Sequence, residues 1–185
     1  MPEPERNAFY SSNDSKLLLR NNSIIEPRLR SPICLMSVYM LEFFKEMDDW
    51  VIWYFCDTNK HHSVTVVEQM MKSLVRQVIG ICTDNDVYLD YDSLPALNQA
   101  GECQGAAERT EWLCHVFQFL IRQLPGGSIL YCVVDQLSAF EAEPLDKDKV
   151  LIVCEELLKV KNEGVRAVVV KVLVTGRGRD TVVKV

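Results

Sequence analysis

One aspartate, one threonine and one arginine stand where this chain would place chemistry. Asp135 ends the apolar run Ile129 to Val134, and Thr175 and Arg177 end the run Val168 to Val174. A third run, Val51 to Cys56, ends at Asp57. A carboxylate at the tip of a buried strand suits a hard divalent cation such as Mg2+, held directly or through water. A hydroxyl and a guanidinium on a neighbouring strand suit the anionic oxygens of a phosphate. Glu141 is the next acid after Asp135 and the candidate base. Taken singly, Asp135 reads equally well as a turn or cap residue, and Arg177 as an exposed strand end. Together the segments are more specific, because they come in order with a helix-length stretch between them.

The elements that must position these groups follow from hydrophobic spacing. From Ile33, positions 33, 36, 37, 40, 44 and 47 trace a helical stripe, and Pro32 suits a first helical turn. Between Ser63 and Ile79, the residues Val67, Met70, Met71, Leu74, Val75 and Val78 share one face, while Glu68, Lys72 and Arg76 fall elsewhere. A further helix carries Leu113, Val116, Phe117, Leu120 and Leu124, and Pro125-Gly126-Gly127 stops it. Another carries Val150, Val153, Cys154, Leu157 and Leu158. Leu17, Leu18 and Leu19 read as a short strand or a turn of helix. Strands alternating with amphipathic helices predict an α/β fold, a parallel sheet covered on both faces. Ligands of such sheets sit at the carboxyl ends of the strands.

Composition narrows the class. The chain has 185 residues, 48% hydrophobic and 25% charged, which suits one globular domain. Its net charge of -6 argues against nonspecific nucleic-acid binding, which needs clustered cations. Seven cysteines without a C-x-x-C pair imply a reducing compartment and no disulfide framework. No apolar stretch approaches the roughly 18 residues that span a bilayer. A cytoplasmic protein with neither nucleic acid nor membrane as partner is expected.

Three smaller clusters have plain explanations. Cys56, Asp57, His61 and His62 are zinc-ligand types, but their spacing fits no standard structural site. Trp50, Trp53, Tyr54 and Phe55 suit an aromatic core strand better than base stacking. Cys114 and His115 are adjacent on a helix and do not face each other.

The stretches MSVYMLEFF, DDWVIWYFCDTN, VVEQMMKSLVRQVIG, SILYCVVDQLSAFE and VKVLVTGRGRD, in that order, resemble the NACHT-type P-loop NTPase domain of fungal STAND proteins, the nephrocystin-3-like N-terminal domains. The resemblance makes them the helix after the phosphate loop, the second strand, the S-L-x-x-Q-L helix, the Walker B strand and the sensor strand. It implies a three-layer P-loop NTPase-like sheet spanning residues 31–180, after a polar lead-in over 1–30 and before a tail over 181–185. It implies ATP or ADP with Mg2+ as cofactor, Asp135 at the metal, and Thr175 and Arg177 at the phosphates, with Glu141 a poor stand-in for the family's base. Relatives of this kind are signalling switches in which nucleotide exchange controls assembly.

The departures are specific. The first glycine is Gly80, and no Gly-Lys pair occurs anywhere. The phosphate-loop position reads LRSPICLM, without the glycines that let backbone N–H groups wrap a phosphate and without the lysine that meets its charge. The second acid after Walker B is missing, because D-x-x-D-E becomes Asp135-Gln136-Leu137-Ser138-Ala139. The sensor reads Thr-Gly-Arg where Thr/Ser-Ser-Arg-Pro is common. The expectation is a degenerate, incomplete NACHT-like module with its first strand poorly represented. It is not an enzyme, and self-association or a homologous partner would act through the α/β domain. The alternative is a nucleotide-free scaffold or a fragment of a larger protein.

Overall fold

In the computed structural model, residues 16–22, 32–47, 49–56, 66–92, 105–135, 153, 156 and 168–177 are described. Four strands form one sheet: β1 (Lys16–Asn22), β2 (Trp50–Phe55), β3 (Ile129–Asp135) and β4 (Val169–Arg177). Three helices accompany them: α1 (Pro32–Glu46), α2 (Val66–Asp84) and α3 (Ala106–Gln123). The strand order is β1-β4-β3-β2, and every pairing is parallel. The fold is therefore α/β with helices on a parallel sheet.

Side chains alternate between the two faces of a strand. Leu130, Cys132 and Val134 of β3 and Val170, Val172 and Val174 of β4 point into the larger core, with α2 and α3. Tyr131 and Val133 of β3 and Leu173 of β4 point the other way, onto Met40, Leu41 and Phe44 of α1. Phe44 stacks on Tyr131 with ring centroids 3.7 Å apart. The helical faces read from sequence are the buried ones: all six apolar residues of α2 and all five of α3 lie in the core. Val153 is helical and joins the same core. After α3, Gly127 takes a φ of +88°, which suits a residue without Cβ, and the chain turns into β3.

Several expectations need correction. Residues 16–22, within the expected lead-in, are a full strand paired with β4 from Lys16↔Lys171 to Asn22↔Arg177. The first strand is thus well formed, and the α/β unit starts before residue 31. Its polar ends hid a leucine core only three residues long. β4 also runs through Thr175 to Arg177 instead of stopping at Val174, because β1 supplies backbone partners there. Met47 lies outside the core, 60% exposed, just past the end of α1.

Polar groups hold the layers in place. Gln77 of α2 reaches the outer edge of β2. Its Oε1 accepts from the Trp53 N–H at 3.0 Å, and its Nε2 donates to the Trp53 carbonyl at 2.7 Å. One amide thereby occupies both groups of an edge-strand residue, as a neighbouring strand would. Ser73 Oγ, one turn earlier, accepts from the same Nε2 at 3.2 Å. Glu68, off the apolar stripe of α2, is nonetheless only 2% exposed. Lys72 Nζ donates to it at 2.7 Å, and Arg109 Nε of α3 at 3.3 Å, so the carboxylate ties α2 to α3. Lys171 is buried within β4, its ammonium 5.3 Å from the Tyr131 ring centroid.

Two expected outcomes follow from these contacts. Gln77→Ala frees the β2 edge at Trp53 and should lower unfolding free energy in urea by about 1–3 kcal/mol, with a new tendency to aggregate. Unchanged stability and sedimentation would show the clamp to be idle. Burial acts to raise the Glu68 pKa, but the hydrogen bonds and charges of Lys72 and Arg109 outweigh it and hold the carboxyl below the ordinary glutamate range. A depressed folded-state pKa gives stability that is full above the unfolded value and lost as pH falls through the folded value. Glu68→Gln should therefore be less stable than wild type at pH 7, and the gap should close on acidification below about pH 4. A gap independent of pH would exclude the ionic contribution.

Candidate functional site

The parallel sheet gathers all four carboxyl ends at one edge. The chain leaving β1 enters α1 on one face, whereas the helices after β2 and the helical Val153 after β3 lie on the other. The carboxyl edge of a parallel sheet is where α/β proteins bind ligands.

Asp135 is the last residue of β3 and is 1% exposed. The alternation that sends Tyr131 and Val133 toward α1 sends Asp135 the same way. There the Ser37 hydroxyl of α1 donates to its Oδ1 at 3.4 Å, a long hydrogen bond. Ser37 is itself fully buried. Its position lies on the helical stripe read from sequence, where it is the one hydroxyl, and that polar interruption was the available signal for it. The Asp135 carbonyl accepts the Cys56 N–H at 3.2 Å, which extends the β2–β3 ladder one residue past Phe55↔Asp135.

Thr175 and Arg177 lie in β4, at the same carboxyl edge. Val134↔Val174 is the last β3–β4 pair, so Asp135 and Thr175 follow it on neighbouring strands. On the other side Thr175 is paired with Arg20, and Arg177 with Asn22. The three backbone positions therefore gather along one rim, with Arg177 farthest out. Glu141 lies outside the described residues, as do Asp57, His61 and His62.

Among the described residues, no three His, Cys, Asp or Glu side chains are grouped to hold a metal ion. Burial, and then the charge of Asp135, push the Cys56 thiol far above its ordinary pKa. It is a neutral, buried thiol, neither nucleophile nor thiolate ligand at physiological pH. Cys82, Cys114 and Cys132 are likewise buried thiols outside any disulfide. Cys114 is buried while its neighbour His115 is exposed, so the two do not form a pair for catalysis. The aromatic strand is mixed: Trp50, Trp53 and Tyr54 are half-buried, but Phe55, opposite Asp135, is 38% exposed at the rim.

A thiol this protected should resist alkylation by iodoacetamide at pH 8 in the native state and react on unfolding, with Cys56 located by peptide mapping. Rapid native labelling at Cys56 would contradict its environment. No helix among the described residues is long and apolar enough to cross a membrane. No protein-family model matches the chain, and no curated protein matches it at a significant level.

Proposed function

We propose that this chain is a degenerate NACHT-like module that works by binding and assembly and does not hydrolyse nucleotide. One observation carries the reading: the strand-end acid Asp135 is sealed at the carboxyl rim against Ser37 of the helix that follows β1. A P-loop protein joins a strand to a helix through its phosphate loop, and a strand-end aspartate and a hydroxyl hold Mg2+ there. Here β1 joins α1 through residues 23–31, which contain neither glycine nor lysine. The scaffold of such a site supports the P-loop-like reading, and the missing cradle argues against catalysis.

The described residues do not fit a magnesium nucleotide well. The carboxylate is turned onto Ser37, and Pro32 at the head of α1 lacks the N–H that would meet a phosphate. ATP or ADP with Mg2+ remains the cofactor of the resemblance, with Asp135, Thr175 and Arg177 the residues to bear it and Glu141 a poor stand-in for the base. A nucleotide-free scaffold is the second reading. The burial of Asp135 favours it, because an acid used to fasten a helix to a strand is not free to hold a metal.

Calorimetry with ATP and ADP, with and without Mg2+, on wild type and Asp135→Ala tests this. The expected result is no turnover and binding no tighter than about millimolar. Tight magnesium-dependent binding that is lost in the variant, or measurable hydrolysis, would overturn the proposal. Weak magnesium-dependent heat would favour the residual switch, and none would favour the scaffold.

A further inference from the structure

The face of α1 turned away from the sheet is apolar where a surface helix is ordinarily polar. Tyr39 is 74% exposed, Phe43 51% and Met47 60%, and the three are spaced four residues apart. Such a row is a ridge of the kind that interlocks with a second helix. Glu42 and Glu46 stand one residue before Phe43 and Met47 and border the ridge along one side; both are exposed. Lys45, the nearby cation, is held back by Glu42 at 3.4 Å and lies 5.0 Å from the Trp53 ring. With Glu42 and Glu46 against the single cation Lys45, this border carries a net negative charge.

We propose that this ridge docks an amphipathic helix of a protein partner whose apolar stripe is edged by lysine or arginine. The proposal deepens the binding-module reading and does not require nucleotide. Charge selects the occupant. An antiparallel second copy would bring the Glu42 and Glu46 borders together, since flanking positions on one side of each helix meet their equivalents in that geometry. A basic helix instead places cations against them, while its apolar residues cover Tyr39, Phe43 and Met47.

The test uses two synthetic helical peptides with one shared leucine stripe, flanked by lysine in one and by glutamate in the other. Binding to the full chain is measured by fluorescence anisotropy. Wild type should prefer the lysine peptide. Tyr39→Ser/Phe43→Ser/Met47→Ser should weaken that binding at least about tenfold, and Glu42→Lys/Glu46→Lys should reverse the preference. These side chains are exposed, so circular dichroism and thermal unfolding should remain close to wild type. The single variant Phe43→Ser serves if the triple variant is unstable. Binding of neither peptide, binding that survives loss of the ridge, or an unchanged preference after charge reversal would overturn the proposal. So would a wild-type dimer by sedimentation that the ridge variant dissolves, because the occupant would then be a second copy. Calorimetry with ATP reads the nucleotide question separately and is unaffected by these substitutions.

Discussion

Strands that run in one direction must be joined by crossovers, and crossovers must lie on the faces of the sheet. That constraint shapes the rest of this structure. It sends the carboxyl ends of β1, β4, β3 and β2 to one edge and demands an apolar cover on each side. On one side α2 and α3 provide a deep core that includes Met70, Met71, Leu74, Phe117 and Leu120. On the other, the described cover is α1 alone, resting on Val51, Tyr131, Val133 and Leu173 through Met40, Leu41 and Phe44. The layers are unequal, and the thinner one carries both the partner of Asp135 and the exposed ridge.

The polar groups inside this frame are placed where the backbone or a neighbouring layer needs them. Gln77 is a helix residue acting as a surrogate strand, because the outer edge of β2 would otherwise present an unpaired N–H and carbonyl. Glu68 is buried because two cations from two helices meet it, and removing either would leave a charge without full compensation. Gln118 of α3 donates to the Glu156 carboxylate at 2.6 Å and to its carbonyl at 3.1 Å, which fastens the crossover between β3 and β4 to the same core. Asp135 and Ser37 belong to this pattern: a buried acid accepts from a hydroxyl across the sheet–helix boundary.

Legibility in the sequence followed the strength of the apolar signal. The faces of α2 and α3 were readable because six and five large residues repeat at helical spacing. β2 and β3 were readable because their runs are long and branched or aromatic. β1 was readable only as a short strand or a turn of helix, since Leu17, Leu18 and Leu19 sit between polar residues and its partner β4 lies 155 residues away in sequence. The end of β4 was misjudged for a related reason: Thr175, Gly176 and Arg177 look like loop residues until β1 is in place to pair with them. Glu68 was hidden because burial of a charge depends on Arg109, 41 residues away. Of the candidate site, the positions of Asp135, Thr175 and Arg177 at one rim followed from strand direction alone. Ser37 did not, because which helix residue meets a strand-end acid depends on how α1 lies across the sheet.

A phosphate loop and a sheet core make separable demands on a chain. The loop needs flexible backbone and a cation near bound phosphate, whereas the core needs apolar periodicity and satisfied edges. Residues 23–31 hold neither glycine nor lysine, and Phe44 still packs on Tyr131 and α2 on α3. A strand-end acid is costly to bury without a donor, and the Ser37 hydroxyl donates to Asp135. The contact is long, and a hydroxyl stabilises a carboxylate less than a metal ion does. The outer face of α1 lies outside both cores, and Tyr39, Phe43 and Met47 are exposed there.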